Sequence, residues 1–202
     1  MLQYEERLWR KGLRYVAGVD EVGRGPLAGP VVAAVVILPR GANLRGVKDS
    51  KCLSPEMREE LLGKILEEAQ DFSIGRVEHL LIDRINILQA SFLAMKRALQ
   101  GLTILPDHVL VDGHAIPDLP YPQSAIIRGD QTSLSIAAAS ILAKVYRDRW
   151  MDGYDLKFPQ YSFFRNKGYP TSEHLEALER YGPCEIHRRS FRPVLNCSKV
   201  EI

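Results

Sequence analysis

An uninterrupted apolar run at residues 31–38, VVAAVVIL, constrains the fold of this chain more than any other feature of its sequence. The run is short, rich in β-branched residues and preceded by Gly29-Pro30, a combination that indicates a strand. A strand without polar positions is buried on both faces, and each face then needs a covering layer. The run therefore predicts a central strand of a sheet that is flanked by helices.

Apolar periodicity and terminal signals predict further elements along the chain. A capping hydroxyl precedes Pro55 at a first helical position, and Gly101 and Gly182-Pro183 follow two helical stretches as stop signals. Strands and helices in this order predict an α/β fold, a mixed sheet flanked by helices with a small helical C-terminal extension. The predicted strands are 15–20, 31–38, 72–78, 108–112 and 125–130, and the predicted helices are 55–69, 86–100, 133–150 and 171–181.

The length and composition of the chain limit its class. The 202 residues suffice for one domain with a substantial core, and 46% apolar residues with a net charge of +2 exclude extensive disorder. We expect residues 1–150 to form the core and residues 151–202, irregular up to residue 168, to pack on it. No run approaches membrane-crossing length and the three cysteines lack disulfide or zinc spacing, so we expect a cytoplasmic protein without a membrane partner.

Carboxylates recur beside glycines at three predicted strand ends. Asp20 and Glu21 follow the first strand, Asp112 ends another, and Asp130 ends a third. Four carboxylates in one cleft repel each other and need a cation, and ligand sets made only of oxygen suit Mg²⁺ or Mn²⁺. Two such ions serve phosphodiester cleavage. Because neighbouring strand residues point to opposite faces, we also expect a bulge or a strand end at Glu21.

The glycines after Asp20 allow other interpretations of this stretch. Their GxGxxxG spacing is followed by a strand, so no helix N-terminus is available to hold a dinucleotide or a P-loop phosphate. A plain turn with solvated carboxylates stays open, because such turns commonly contain glycine and aspartate. A nucleic-acid-binding domain without catalysis is a further alternative, which the absence of metal-dependent cleavage would favour.

Longer motifs, spread over nearly the whole chain, connect these residues to a known family. They are GVDEVGRGPLAGPVVAAVVIL, KDSKCLS, LVDG, RGDQTSLSIAAASILAKVYRD, NKGYPTSEHLEAL and YGPCEIHRRSFRPV, in this order. Together they resemble ribonuclease HII. The sister ribonuclease HIII group carries an additional domain before the Asp-Glu pair, and the position of Asp20 near residue 1 favours type HII.

This resemblance implies a ribonuclease H-like α/β/α fold and a metal-dependent endonuclease of the ribonuclease H type. The implied substrates are RNA–DNA hybrids and single ribonucleotides in duplex DNA, cut on the 5′ side to leave 3′-hydroxyl and 5′-phosphate ends. Such an activity removes ribonucleotides during DNA repair and also removes RNA primers. The residues that match the catalytic carboxylates, which bind two Mn²⁺ or Mg²⁺ ions, are Asp20, Glu21, Asp112 and Asp130, with Asp130 joining the site when substrate binds.

The resemblance also implies residues that read the substrate. Gly23-Arg24-Gly25 matches the tripeptide that contacts the ribonucleotide, and Tyr169 matches the tyrosine that reads the RNA–DNA junction. Backbone groups exposed between glycines can bond a 2′-hydroxyl, and an aromatic ring can pack on deoxyribose. Three residues depart from the family pattern, Cys52, Arg128 and Pro170, and Pro170 restricts Tyr169 to an extended backbone.

Basic and hydroxyl residues near these motifs are candidates for phosphate or sugar contacts. For Lys144 an ordinary ion pair with Asp148 is an equally good interpretation, and His114 lies near the carboxylates in sequence. We expect a monomer; a sliding clamp is a conceivable partner, but NCSKVEI contains no clear clamp-binding motif. The candidate contacts are Ser50, Lys51, Ser133, Ser135, Lys144 and Arg147.

Overall fold

The computed structural model describes residues 1–47 and 53–197, which contain one five-stranded sheet. The strand order is β3-β2-β1-β4-β5, with β1, β2 and β3 antiparallel and with β4 and β5 parallel to β1. This mixed sheet confirms the predicted fold class. The strands are β1 (Val16–Val22), β2 (Val31–Ile37), β3 (Asp71–Val77), β4 (His108–Asp112) and β5 (Gln123–Ile126).

Helices cover both faces of the sheet. Side chains of β2 alternate between the two, because Val32, Ala34 and Val36 pack with α2 and α5, whereas Val31 and Ala33 pack with α3 and α4. Every residue of β2 is buried, as the apolar run predicts. The helices are α1 (Gln3–Arg10), α2 (Pro55–Glu68), α3 (His79–Ile85), α4 (Ile87–Gln100), α5 (Leu134–Lys157), α6 (Phe163–Asn166), α7 (Ser172–Tyr181) and α8 (Arg192–Cys197).

Helix α5 packs directly on β1 because Gly18 has no side chain. A Cβ atom at Gly18 would lie 2.2 Å from the carbonyl carbon of Ser135, in the first turn of α5. The helix continues to Lys157, so residues 151–157 are helical where the sequence predicted irregular structure. The predicted boundary at residue 150 consequently falls inside a continuous helix, in which Met151 and Tyr154 pack with apolar side chains of the C-terminal segment.

The C-terminal helices build a separate apolar cluster around the connection between β1 and β2. Leu27 and Ala28 of that connection pack with Tyr161, Phe163 and Leu178. The chain between Val22 and Val31 is thereby held between the sheet and the C-terminal segment. No helix in residues 1–47 or 53–197 is long and apolar enough to cross a membrane.

Candidate active site

The carboxylates of Asp20 and Asp112 lie at the ends of neighbouring parallel strands. The register pairs Val19 of β1 with Val111 of β4, and each carboxylate occupies the next position of its strand. Parallel strands bring their carboxyl ends to one edge of the sheet, which is where ligands bind in α/β folds. The structure therefore brings together two strand ends that the sequence singled out.

Glu21 lies at the same edge of the sheet as Asp20, but its side chain is on the opposite face. Strand β1 continues through Val22 in regular register with β2, so the expectation of a bulge or strand end at Glu21 is wrong. Asp20 lies on the face covered by α5, where it forms a hydrogen bond with Ser140. Glu21 lies on the face covered by α4 and borders a pocket of about 160 Å³ that His114 also lines. The pairing with β4 ends before both carboxylates, and this opening lets them approach Asp112 from two sides.

Burial and mutual repulsion disfavour the charged forms of these carboxylates. Burial, followed by the negative charges of Glu21 and Asp112, raises the pKa of Asp20 well above its ordinary value. The backbone N–H of Glu21, which donates to Oδ1 of Asp20 at 2.7 Å, opposes that rise only in part. Burial also raises the pKa of Glu21, while Arg24 lowers it through a hydrogen bond of 3.2 Å. A cation at this edge would relieve the repulsion.

Asp130 occupies a short turn that is attached to Asp112. Strand β5 ends at Ile126, and Asp130 lies in the 3₁₀ turn Gly129–Gln131, so the expected position at a strand end is wrong. The backbone N–H of Gly129 donates to Oδ1 of Asp112 at 2.6 Å. Because Arg128 adopts the left-handed conformation, with a φ of 54°, the chain turns back towards β4 instead of extending β5.

The donor chemistry at this edge fits a hard divalent cation. The oxygens belong to carboxylates, and among the described residues no three His, Cys, Asp or Glu side chains are already arranged to hold an ion. Mg²⁺ and similar ions retain several waters and share ligands with substrate phosphates, so a loose set of carboxylates suits them. Buried, mutually repelling oxygens without thiol or imidazole ligands are the donors that such ions prefer.

The backbone of the Gly23–Gly25 tripeptide is bound by a buried arginine. The guanidinium of Arg188 donates to the carbonyl oxygens of Gly23 at 2.6 Å, Arg24 at 3.2 Å and Gly29 at 3.0 Å. Gly23 has a φ of 98° and leaves no room for a Cβ atom, which would lie 2.4 Å from Nε of Arg147. Backbone conformation and packing therefore both require glycine at this position.

Tyr169 lies next to this tripeptide. A Cβ atom added at Gly25 would meet Cε1 of the Tyr169 ring at 3.6 Å, an ordinary contact distance. The ring is partly exposed, and the guanidinium of Arg147 lies 5.9 Å from its centroid. The backbone N–H of Tyr169 donates to the carbonyl oxygen of Asn166 at 2.8 Å. The two elements predicted to read the substrate are thus neighbours, although 144 positions of sequence separate Gly25 from Tyr169.

Several predicted phosphate or sugar contacts have other partners. Ser133 and Ser135 are fully buried, and their hydroxyls donate to Glu5 at 2.6 Å each. Arg147 is also fully buried and donates to three backbone carbonyls. These three side chains are therefore not surface contacts. Helix starts and loops inside the fold need the same hydrogen-bond donors that a phosphate would use, so residue type alone does not distinguish the two roles. Lys144 forms the alternative ion pair with Asp148, at 2.7 Å. Ser50 and Lys51 lie outside the described residues.

The sequence analysis did not single out Arg188, His174 or His187. All three are fully buried next to the site. The sequence CEIHRRSF indicates the burial of these residues only weakly, through the apolar Ile186 that precedes His187 and Arg188 and is itself buried. Arg189, the next residue, is exposed, and spacing alone does not distinguish the two arginines.

Comparisons with known proteins match the chain over most of its length. The family model described as Ribonuclease HII matches residues 17–194. The ribonuclease HII of Caldicellulosiruptor bescii is 54% identical over 189 residues, which cover 94% of this chain and 92% of that protein. The crystal structure of ribonuclease H2 from Pyrococcus horikoshii OT3 has a TM-score of 0.76 and 31% identity, covering 91% of this chain and 96% of that one. The ribonuclease HII in a complex with PCNA from Archaeoglobus fulgidus has a TM-score of 0.75 and 27% identity, covering 90% and 96%.

Proposed function

This chain belongs to the ribonuclease HII family, and from that premise we propose that the carboxylates at the ends of β1 and β4 form its catalytic centre. Enzymes of this family cleave the RNA of RNA–DNA hybrids and cut at ribonucleotides within DNA, and this chain is an endonuclease of that kind. The family depends on divalent metal ions. The proposal assigns this chemistry to particular residues.

In the proposal, Asp20, Glu21 and Asp112 hold divalent cations, Mg²⁺ or Mn²⁺, and Asp130 joins them when substrate is bound. Two such ions, when bound, stabilise the attacking and the leaving oxygens of an in-line displacement at phosphorus. The chain's own contribution is orientation: Ser140 and the Glu21 N–H fix Asp20, and the Gly129 N–H fixes Asp112. The cut then lies on the 5′ side of the ribonucleotide and leaves a 3′-hydroxyl and a 5′-phosphate.

The position of the Gly23–Gly25 tripeptide is the observation that carries this proposal. Arg24 connects it to Glu21 on one side, and Gly25 lies beside the Tyr169 ring on the other. Only the 2′-hydroxyl distinguishes RNA from DNA at one nucleotide, and backbone groups beside glycine can approach it closely. In this arrangement the tripeptide reads the ribonucleotide, while Tyr169 packs on the next sugar, where a second 2′-hydroxyl would crowd the ring.

The Asp112→Asn variant tests the carboxylate assignment. Losing one ligand charge removes several kcal/mol of transition-state stabilisation, so we expect cleavage of a duplex with one ribonucleotide to fall on the order of a hundredfold or more. Asp118→Asn is the matched control, because Asp118 is exposed and its left-handed backbone suits asparagine equally well. Full activity of Asp112→Asn would contradict the assignment. Hybrid binding without Mg²⁺- or Mn²⁺-dependent cleavage by the unmodified protein would favour a binding domain instead.

The proposal extends to where and with what the enzyme acts. Its substrates are RNA–DNA hybrids and DNA duplexes that contain ribonucleotides, so we propose action on chromosomal DNA in the cytoplasm, as a monomer. The structure of the Archaeoglobus relative is that of a complex with PCNA. A sliding clamp is therefore the protein partner to test first, by measuring co-elution of the full chain with the clamp.

A further inference from the structure

Two buried histidines connect α7 to the segment that precedes α8, directly beneath Tyr169. Nε2 of His174 lies 3.0 Å from Nε2 of His187, and neither residue is exposed to solvent. Beyond them lie Cys184 at one end and the Tyr169 carbonyl at the other. Such a polar pair in an apolar environment is costly unless each of its nitrogens is matched with a partner.

The hydrogen bonds determine the tautomer of each ring. The backbone N–H of Cys184 donates to Nδ1 of His187 at 3.0 Å, so the proton of neutral His187 is on Nε2. That proton is donated to Nε2 of His174, whose own proton is therefore on Nδ1. His174 Nδ1 then donates to the carbonyl oxygen of Tyr169 at 2.9 Å. The chain of donors runs in one direction, from Cys184 to Tyr169.

This chain of hydrogen bonds ends on Tyr169, whose ring lies beside Gly25. The N–H of Tyr169 donates to the Asn166 carbonyl, and its own carbonyl accepts from His174 and from the backbone N–H of Thr171 at 2.8 Å. Pro170 has no N–H to contribute, so the His174 bond is the one side-chain restraint, beside the Thr171 backbone bond, on the peptide group between Tyr169 and Pro170. Fixing both peptide groups that flank Tyr169 fixes the direction in which its side chain leaves the backbone.

The other end of the histidine pair is attached to residues 23–30, the connection between β1 and β2 that contains the Gly23–Gly25 tripeptide and that we call the reading loop. His187 forms an isolated antiparallel bridge with Ala28, and the next residue, Arg188, donates its backbone N–H to Leu27 at 2.8 Å. The backbone N–H of Leu27 in turn donates to Gly168 at 2.7 Å. The loop and Tyr169 are consequently connected through one buried network.

We propose that His174 and His187 are positioning residues that hold the Tyr169 ring against the Gly23–Gly25 tripeptide and thereby set the preference for RNA–DNA junctions. The inference rests on the proposed role of Tyr169. The pair acts in its neutral form, because an additional proton would place two N–H groups against each other. Among the described residues, the ionisable groups that face His187 are His174, Cys184, Tyr161, His79 and Arg189, and none of them is an anionic carboxylate that would favour protonation. The rings facing His174 are Tyr161 and Phe163.

The experiment compares kcat/KM on a DNA duplex with one ribonucleotide and on an all-RNA strand paired with DNA. We expect His174→Leu to lower the ratio of the two about tenfold, because only the first substrate presents a junction to Tyr169. His174→Asn, whose amide can still donate to the Tyr169 carbonyl, should recover most of the ratio. His108→Leu is the control, since His108 is a partly buried histidine of β4 that bonds Ser124 instead.

A double-mutant cycle separates positioning from general stability. If His174 acts through Tyr169, His174→Leu changes the substrate ratio little in a Tyr169→Ala background. Additive effects, or equal losses on both substrates by folded His174→Leu, would overturn the inference while leaving the role of Tyr169 intact. An unchanged ratio in Tyr169→Ala alone would overturn both. If His174→Leu does not fold, His187→Asn carries the same test, because it keeps an acceptor for Cys184 and loses the donor to His174.

Discussion

At the scale of single residues, two buried arginines organise the backbone around the site. Arg147 donates to the carbonyls of Ala28, Pro30 and Lys167, and Arg188 donates to three carbonyls of the reading loop. Burial lowers the pKa of Arg147 to about 10 and that of Arg188 to about 9, so both stay cationic at neutral pH. Carbonyl dipoles thus solvate two positive charges beneath a loop that is proposed to meet a polyanion, which favours binding there.

Replacing Arg188 with methionine tests this role. The change leaves three loop carbonyls without their donor, and each buried unpaired carbonyl costs about 1 kcal/mol or more. We expect the free energy of unfolding to fall by at least about 2 kcal/mol in urea titrations. Arg189→Met is the matched control at the next, exposed position, where a change within about 0.5 kcal/mol is expected. Equal effects of the two variants would contradict the assignment.

At the scale of elements, α1 supports the start of α5. Glu5 is fully buried and accepts hydrogen bonds from both serine hydroxyls at that helix start and from the backbone N–H of Ser135 at 3.0 Å. A carboxylate near a helix N-terminus also interacts favourably with the helix dipole. Because α5 carries Ser140, the partner of Asp20, this contact connects the N-terminal helix to the position of a carboxylate that we propose to be catalytic.

The neighbouring glutamates of α1 give a matched test of that contact. Glu5→Ala leaves three donors unpaired in the interior, and we expect unfolding free energy to fall by about 2–3 kcal/mol. Glu6→Ala removes only an exposed ion pair with Arg10 on the same helix, which is worth about 0.5 kcal/mol or less. Thermal and urea unfolding of the two variants measure the difference. Similar small losses in both would show that Glu5 is not needed at the start of α5.

Local signals in the sequence predicted most helices and strands. Features that depend on contacts between distant parts of the chain were not predicted. Ser54 and Thr171 accept hydrogen bonds as helix caps, and the run at 31–38 is the doubly covered strand. Helix α3 went unpredicted because its seven residues carry little periodicity before the Asn86 cap. Hydroxyls at the start of α5 were mistaken for substrate contacts, since nothing near them in sequence indicates Glu5 as their partner.

At the scale of the whole molecule, the change from antiparallel to parallel pairing creates the site. Strand β1 continues beside β2 after β4 has ended, so its last residues border an open edge. The sequence located Asp20, Glu21 and Asp112 there because strand ends are local features. Sequence patterns did not predict that the C-terminal segment packs on Leu27 and Ala28, because this packing depends on contacts between distant parts of the chain.

The buried histidines also predict how stability of the whole molecule depends on pH. Burial, followed by the charge of His174, lowers the pKa of His187 to about 3 from an ordinary value of 6.5. Between these values the unfolded chain binds a proton that the folded chain does not, so unfolding free energy falls as pH decreases from 6.5 towards 3, at about 1.4 kcal/mol per pH unit. Burial shifts the pKa of His174 in the same direction.

Urea unfolding at pH 7.5, 5.5 and 4.5 measures this dependence. Comparison with His187→Asn isolates the histidine from the carboxylates, whose shifts both proteins share. We expect the variant to lose less stability than the unmodified protein between pH 7.5 and 4.5, because it has one group fewer that takes up a proton on unfolding. Identical pH dependence in the two proteins would contradict a neutral, buried His187.

Mapping the cut in a DNA duplex with a single ribonucleotide tests the central claim most directly, because it reports reaction, substrate and metal dependence together. With Mg²⁺ or Mn²⁺ the account predicts one cut on the 5′ side of the ribonucleotide, with 3′-hydroxyl and 5′-phosphate products, and no cleavage after chelation. Cleavage that persists without divalent ions, a cut on the 3′ side, or binding without cleavage would contradict it.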